Sequence, residues 1–243
     1  MAEVDVAHAE IEVEGLNKTF GRRDVLRDVS FSVERGGFLS IMGPNGAGKT
    51  TTLRVLATLL TPTSGRVRIA GLDPLDDPMP VRRVIGLISH SPLLYLDLTA
   101  YENLRFYADM YGVPERERRI GELLERVELS HRRYDQVRTF SKGMLQRLAI
   151  ARALLHRPRV LLLDEPYSGL DPHAVDILDG LLAEIRAEHT FVMVSHSIPK
   201  TLQLSTQVVI MDAGRIVYRQ AGRVDEGDFV AVYREHVNEG VAL

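Results

Sequence analysis

Residues 38–52 read FLSIMGPNGAGKTTT, a short apolar run followed by a glycine-rich turn and the start of a helical pattern. The turn matches G-x-x-x-x-G-K-[ST] through Gly43, Gly48, Lys49 and Thr50. Gly43, Gly46 and Gly48 let the backbone curl around Pro44, Asn45 and Ala47 so that successive N–H groups point inward. The helix that opens here adds the positive end of its dipole. Such a turn is a cradle for a polyphosphate. Lys49 is the point charge expected to bridge β- and γ-phosphates, Thr51 extends the cradle, and the Thr50 hydroxyl suits a Mg²⁺ shell.

A second group of residues fits the same chemistry. VLLLDEP, residues 160–166, is an apolar run ending in two acids. Asp164 suits a Mg²⁺ ligand and Glu165 suits the base that orients or deprotonates an attacking water; the plainer alternative is an acid that caps the next helix. In residues 140–151, FSKGMLQRLAIA, Ser141 is a good N-cap for a helix through Leu145, Leu148 and Arg152. Its exposed first-turn amides are a second anion site, or simply the start of an ordinary capped helix. Phe20, after Lys18 and Thr19 and before Gly21, either stacks on a purine base from an exposed loop or packs as a core aromatic at a strand end.

The elements that must hold these groups follow from periodicity. Residues 10–13 and 30–33 alternate apolar and polar like half-buried strands, and Gly36 and Gly37 punctuate before the continuous run 38–42. A helix is expected over 49–60, with Leu53, Leu56, Leu59 and Leu60 on one face and Pro62 beyond its end. Residues 63–71 read as a turn and a short strand. Helical periodicity dominates 100–111 and 120–129. Buried-strand texture resumes at 160, at 191–195 and at 208–211. The expected organisation is therefore one α/β domain over 1–243, with a core of 1–90 and 157–243 interrupted by a helical subdomain over 91–156.

Composition limits what this domain serves. With 243 residues, 45% hydrophobic, the chain can bury a substantial core. A net charge of −3 lacks the basic excess that neutralises nucleic-acid phosphates, so no nucleic-acid partner is expected. No cysteine is present, which fits a reducing compartment and rules out thiolate zinc sites and cysteine nucleophiles. The eight histidines show no metal spacing. The acidic start MAEVDVAHAEIEVEG does not read as a signal peptide, and no apolar run is long enough to span a membrane. A soluble, cytoplasmic chain is expected.

Taken in order, the motifs resemble the ATP-binding subunit of ABC transporters over nearly the whole chain. GPNGAGKTT is similar to Walker A, LLLDEP to Walker B, and FSKGM takes the place of the LSGGQ signature. Ser168-Gly169-Leu170-Asp171 resembles the D-loop, His196 the switch histidine, and Phe20 falls where the family stacks an aromatic on adenine. Standing alone, His196 would read as a core histidine.

The resemblance implies a P-loop NTPase (RecA-like) parallel-sheet core with an N-terminal antiparallel β subdomain and a helical insertion. It implies ATP and Mg²⁺ as cofactors, with Thr50 and Asp164 at the metal. Glu165 and His196 would be catalytic. Nucleotide contacts would come from Phe20, Gly43, Pro44, Asn45, Gly46, Ala47, Gly48, Lys49, Thr50, Thr51 and His90. Across a head-to-tail homodimer, or a heterodimer with another such ATPase, Ser141, Lys142, Gly143, Met144 and Asp171 would cap the partner's ATP. The helical insertion would pass closure to transmembrane permease subunits, placing the chain on the inner face of the cell membrane.

Two departures from the pattern stand out. Lys142 replaces the signature's first glycine and Met144 its glutamine. His90, followed by Ser91, stands where the Q-loop glutamine is expected. Residues 88–112 are also similar to the ATPase of the heme exporter of cytochrome c maturation, which implies an exporter; a generic exporter ATPase carries similar sequence there. An ABC-type ATPase of a soluble assembly complex would carry the same six motifs. A chromosome or repair ATPase would need a long coiled coil between Walker A and the signature, and no sustained heptads are present.

Overall fold

The computed structural model describes residues 9–89, 91–222 and 225–237. In chain order its elements begin with strands β1 (Ala9–Phe20), β2 (Arg23–Glu34) and β3 (Phe38–Met42), helix α1 (Lys49–Leu56), β4 (Ser64–Ile69), α2 (Pro78–Val84) and β5 (Ile85–Ile88). Helices α3 (Ala100–Tyr111), α4 (Arg116–Arg126) and α5 (Lys142–Leu154) follow. The chain continues with β6 (Val160–Asp164), α6 (Pro172–Ile185), β7 (Thr190–Val194), α7 (Ile198–Leu204), β8 (Gln207–Asp212), β9 (Arg215–Ala221) and α8 (Glu226–His236). Two compact units emerge: residues 83–189 form one, and the rest of the chain the other.

In the first unit, β1 pairs antiparallel with β2 on one side and β4 on the other. Ile11 faces Val33 and Val13 faces Phe31, and these side chains are buried, as the alternating pattern demands. The second sheet of this unit orders its strands β7-β3-β8-β9. β3 is parallel to both neighbours and buried at every residue, so its continuous apolar sequence is the pattern of a central strand. Phe38 and Phe191, paired in register, stack with ring centroids 4.8 Å apart. β9 closes the edge antiparallel to β8, and Phe229 of α8 is fully buried beside Met42, Val208 and Ile210. Neither β9 nor α8 was expected from the pattern.

α1 is shorter than expected. It ends at Leu56, because Thr58 turns back into the left-handed region (φ 58°) and donates its N–H to the Val55 carbonyl; Leu59 is left 59% exposed. The leucine spacing extended the helical pattern past a point where the backbone had already turned.

In the second unit, β5 and β6 pair in parallel, Ile85 with Val160 and Ile88 with Leu163. α3 spans 100–111 as expected. Its start is fixed by a capping box in which Thr99 accepts from the Glu102 N–H and Glu102 accepts from the Thr99 N–H. The Thr99 N–H, and then the Thr99 hydroxyl, donate to the Glu102 carboxylate and hold it below its ordinary pKa. α4 begins and ends earlier than the 120–129 periodicity suggested. Arg118 joins Glu115 and Glu122 on its exposed first turns, and Glu128 takes a positive φ of 56° beyond its end.

Candidate functional site

The phosphate cradle lies wholly in the first unit, between the end of β3 and the start of α1. Gly43 has φ 141°, and a Cβ there would sit 2.0 Å from the Met211 carbonyl oxygen, so only glycine allows β8 this close. α1 has no side-chain cap and no acidic residue in its first turn. The positive end of its dipole therefore meets the loop with no acidic side chain to offset it. Lys49 is only 6% exposed, and its Nζ donates to the Gly43 and Pro44 carbonyls at 2.7 and 2.9 Å. The ammonium is thus held inside the loop by the backbone it would leave to meet phosphate oxygens. Asn45 and Gly46 form the exposed rim, and Thr50 and Thr51 are half-buried behind it.

Phe20 and His196 belong to the same unit. Phe20 is the last residue of β1, paired with Arg23 across the hairpin, and not part of a free loop. It is 47% exposed, with Lys18 Nζ 5.0 Å from its ring centroid, which overturns the core-aromatic alternative and leaves a face on which a base could stack. His196 follows β7 and is exposed, so it is not a core histidine. The turn that presents it is fixed where the Ser197 N–H meets Ser195 Oγ at 3.1 Å.

The acids and the signature segment lie in the second unit. Asp164 ends β6, and Glu165 follows with φ 52°, a left-handed conformation that a glutamate holds only when its surroundings impose it. Ser168 N–H donates to the Glu165 carbonyl at 3.0 Å and Leu170 N–H to the Tyr167 carbonyl at 3.2 Å, coiling the chain tightly here. Gln146 of α5 donates to the Pro166 carbonyl at 3.1 Å, and the Tyr167 hydroxyl donates to Asp179 of α6 at 2.8 Å. Burial first, then the bond to Asp179 and its charge, raises the Tyr167 phenol above its ordinary pKa, so it stays a donor. Asp171 caps α6 through the Ala174 N–H at 2.9 Å. The cap role weighed for the strand-end acids thus falls to Asp171.

Ser141 caps α5 by accepting from Met144 N–H at 3.2 Å. A Cβ on Gly143 would lie 2.9 Å from the Ala174 Cβ, so glycine is needed where α5 meets the start of α6. Lys142 is exposed, and its side chain crosses Gly169 so closely that a Cβ there would overlap its Nζ. The lysine that departs from the signature is accommodated by a glycine in the D-loop segment. A hollow of about 150 Å³ is lined by Lys142, Gln146, Glu165 and Ser168. His90 lies outside the described residues. The roles of Tyr167 and Gln146 were not read from the sequence, because neither has a local partner to signal it.

The second unit also carries an apolar surface. Leu93, Tyr95, Leu96, Phe106 and Met110 are all 43% or more exposed, and the Tyr95 and Phe106 rings meet edge to face at 5.1 Å. Fully buried Asn103 fixes this surface by accepting from Tyr95 N–H at 2.8 Å and donating to the Tyr95 and Thr99 carbonyls at 2.9 and 3.0 Å. Tyr107 donates its hydroxyl to the Leu93 carbonyl at 2.6 Å.

A model of the ABC transporter family matches residues 26–168, more than half of the chain. The chain belongs to the ABC transporter family. It is similar to the ABC transporter ATP-binding protein NatA of Bacillus subtilis (strain 168), 38% identical over 200 residues, with 81% of each chain covered. It is also similar to the daunorubicin resistance ATP-binding protein DrrA3 of Streptomyces coeruleorubidus, 35% identical over 224 residues, covering 91% of this chain and 70% of the relative. Among solved structures, an ATP-binding cassette dimer in a post-hydrolysis state with ADP and Pi has a TM-score of 0.81. It is 28% identical, with 88% of this chain and all of that one covered. This chain is therefore the ATP-binding subunit of an ABC transporter, an ATPase with the α/β fold of P-loop NTPases. Subunits of this family work with transmembrane partners and dimerise. Among the described residues no helix of this ABC ATPase is long and apolar enough to cross a membrane.

Proposed function

We propose that this ABC ATPase drives export through an ATP-dependent, head-to-tail dimer. The observation that carries the reading is the prebuilt cradle, with an uncapped helix N-terminus and a buried lysine held by two loop carbonyls. ATP entering the cradle draws Lys49 from those carbonyls to the β- and γ-phosphates, while Gly46, Ala47 and Gly48 present their amides. Phe20 stacks on the adenine. Ser141, Lys142, Gly143 and Met144 of one subunit cap the nucleotide of the other, with Asp171 beside them. His196 holds the γ-phosphate and the attacking water in line, and His90, in the Q-loop position, links the nucleotide to the membrane partner.

Thr50 and Asp164 are hard oxygen donors that fit Mg²⁺. Among the described residues no cluster of three or more metal-ligating side chains exists, so the nucleotide's phosphates would complete the shell. Mg²⁺ supplies charge neutralisation at the transferring phosphoryl group. Glu165 takes a proton of the attacking water as the water oxygen bonds to the γ-phosphorus, the bond from γ-phosphorus to the β,γ-bridging oxygen breaks with ADP as the leaving group, and the dimer opens.

Export is the direction we draw from the drug resistance named in relatives such as DrrA3, against a similar relative named for spermidine/putrescine import. The likeness of residues 88–112 to a heme exporter adds heme as a cargo, to be tested by transport into inverted vesicles. The helical segment 91–156 carries the motion to the permease, which seats on the surface around Tyr95 and Phe106 and holds the chain on the inner face of the membrane. Co-purification with a membrane fraction separates this reading from an ATPase of a soluble assembly complex.

The deciding experiment is Glu165→Gln. It keeps the shape and loses the proton acceptor, so ATP binding persists, turnover falls at least about 100-fold, and Mg²⁺·ATP traps a dimer on size-exclusion chromatography. A monomer with unchanged turnover removes Glu165 from the reaction.

A further inference from the structure

We infer that Tyr167, through its hydrogen bond to Asp179, is a positioning residue that sets where the Glu165 carboxylate stands during hydrolysis. The inference rests on the assignment of Glu165 as the base. Tyr167 is assigned no contact with a reacting atom; it acts through the backbone.

The backbone between Glu165 and Asp171 is unusual in being curled and strained at once. Glu165 and Gly169 both have positive φ, 52° and 69°, and the Ser168 and Leu170 N–H groups bond back to the Glu165 and Tyr167 carbonyls. A non-glycine residue in the left-handed region is disfavoured by about 1–3 kcal/mol, so a free segment would relax and turn the Glu165 side chain elsewhere. Three side chains oppose that relaxation. Gln146 grips the Pro166 carbonyl from α5, Asp171 anchors the far end by capping α6, and Tyr167 pins the middle to Asp179, two turns along α6.

The phenol bond joins a hydroxyl to a carboxylate in a partly buried pair, and its 2.8 Å is an ordinary O–H···O length. It also has a direction. Tyr167 is two residues after Glu165, so rotation of the peptides between them to free the phenol would swing the Glu165 Cα–Cβ bond. Removing the hydroxyl lets the segment sample conformations in which the carboxylate no longer faces the attacking water. Displacements of about an ångström in a positioning group lower a rate by as much as about 100-fold, so a single lost tether among three is expected to give roughly tenfold. Nothing in the cradle that binds ATP changes.

The test compares Tyr167→Phe, Asp179→Leu, Asp179→Asn and the double variant Tyr167→Phe/Asp179→Leu, with wild type and Glu165→Gln as references. Expected is a roughly tenfold lower kcat for Tyr167→Phe with KM for ATP and the melting temperature nearly unchanged. Asp179→Leu should match it. Asp179→Asn, which keeps an acceptor oxygen, should recover most of the rate, and the double variant should be no slower than either single one. A structural role alone would lower the melting temperature and affinity together and would not be rescued by asparagine. Wild-type kcat in Tyr167→Phe, or losses that multiply in the double variant, overturns the inference. If Glu165→Gln retains full turnover, the assignment of the base fails first and separately.

Discussion

At the scale of single residues, the cradle makes the sharpest demand at Gly43. Its φ and the approach of the Met211 carbonyl exclude any Cβ. We expect Gly43→Ala to displace the loop and lose both nucleotide affinity and stability, the latter by more than about 2 kcal/mol, seen in denaturant unfolding. Lys49→Met tests the cation of the cradle. It removes the cation that meets the phosphates and leaves the Gly43 and Pro44 carbonyls without that donor, a loss of about 1–3 kcal/mol in stability. ATP affinity by calorimetry is expected to fall by about 100-fold or more, and an unchanged affinity would reject the cradle. These residues were legible in the sequence because everything the cradle needs is adjacent in the chain. Tyr167 was not: its partner Asp179 lies twelve positions away on another element, and no local pattern marks a phenol that reaches it.

At the scale of elements, α5 is the common support of the second unit. Ser141 starts it, Gln146 holds the Pro166 carbonyl, and buried Arg152 donates to the Leu87 carbonyl of β5. Just past its end, His156 donates Nε2–H to the Ile85 carbonyl and stacks on Tyr111 with ring centroids 4.0 Å apart. Burial lowers the His156 pKa, and the charges of Arg152 and Arg119 add to this against the bond to Ile85. Its Nδ1 has no hydrogen-bond partner among the described residues, so a proton there would meet none. The folded-state pKa lies below the unfolded value of about 6.5, so between the two the unfolded chain holds one more proton. Stability from this residue is complete above about pH 6.5 and declines as pH falls toward the folded-state value, by at most about 1.4 kcal/mol per pH unit. Urea unfolding from pH 7.5 to 5.5 should show that slope, and His156→Phe should remove it. Element starts such as those of β3, α1 and α3 were legible because punctuation and caps are local. The end of α1 and all of β9 and α8 were not. The turn at Thr58 follows from backbone geometry that the leucine pattern outruns, and α8 earns its place by burying Phe229 against strands distant in sequence.

At the scale of the whole molecule, an ATPase that drives transport must pass its cycle to another chain, and the exposed apolar surface of the second unit is suited to receive that chain. Several large side chains stand out of α3 and the segment before it, and Asn103 and Tyr107 lock the backbone that presents them. Locking matters because a docking surface that yields under load transmits nothing. Phe106 and Met110 are four residues apart on one face of α3, and Tyr95 meets Phe106 ring to ring. Phe106→Glu together with Met110→Glu places two charges where an apolar partner would seat, without altering the cradle or the residues around Glu165. The expected result is basal ATPase activity and nucleotide affinity near wild type in solution, with stimulation by the permease in proteoliposomes reduced about tenfold or more, because desolvating charges at the centre of an interface disfavours assembly by several kcal/mol. Asn103→Leu should weaken the same stimulation through the mount and also lower the melting temperature, since it leaves the Tyr95 and Thr99 groups without their buried partner. Full stimulation in the double glutamate variant would move the permease contact to another face.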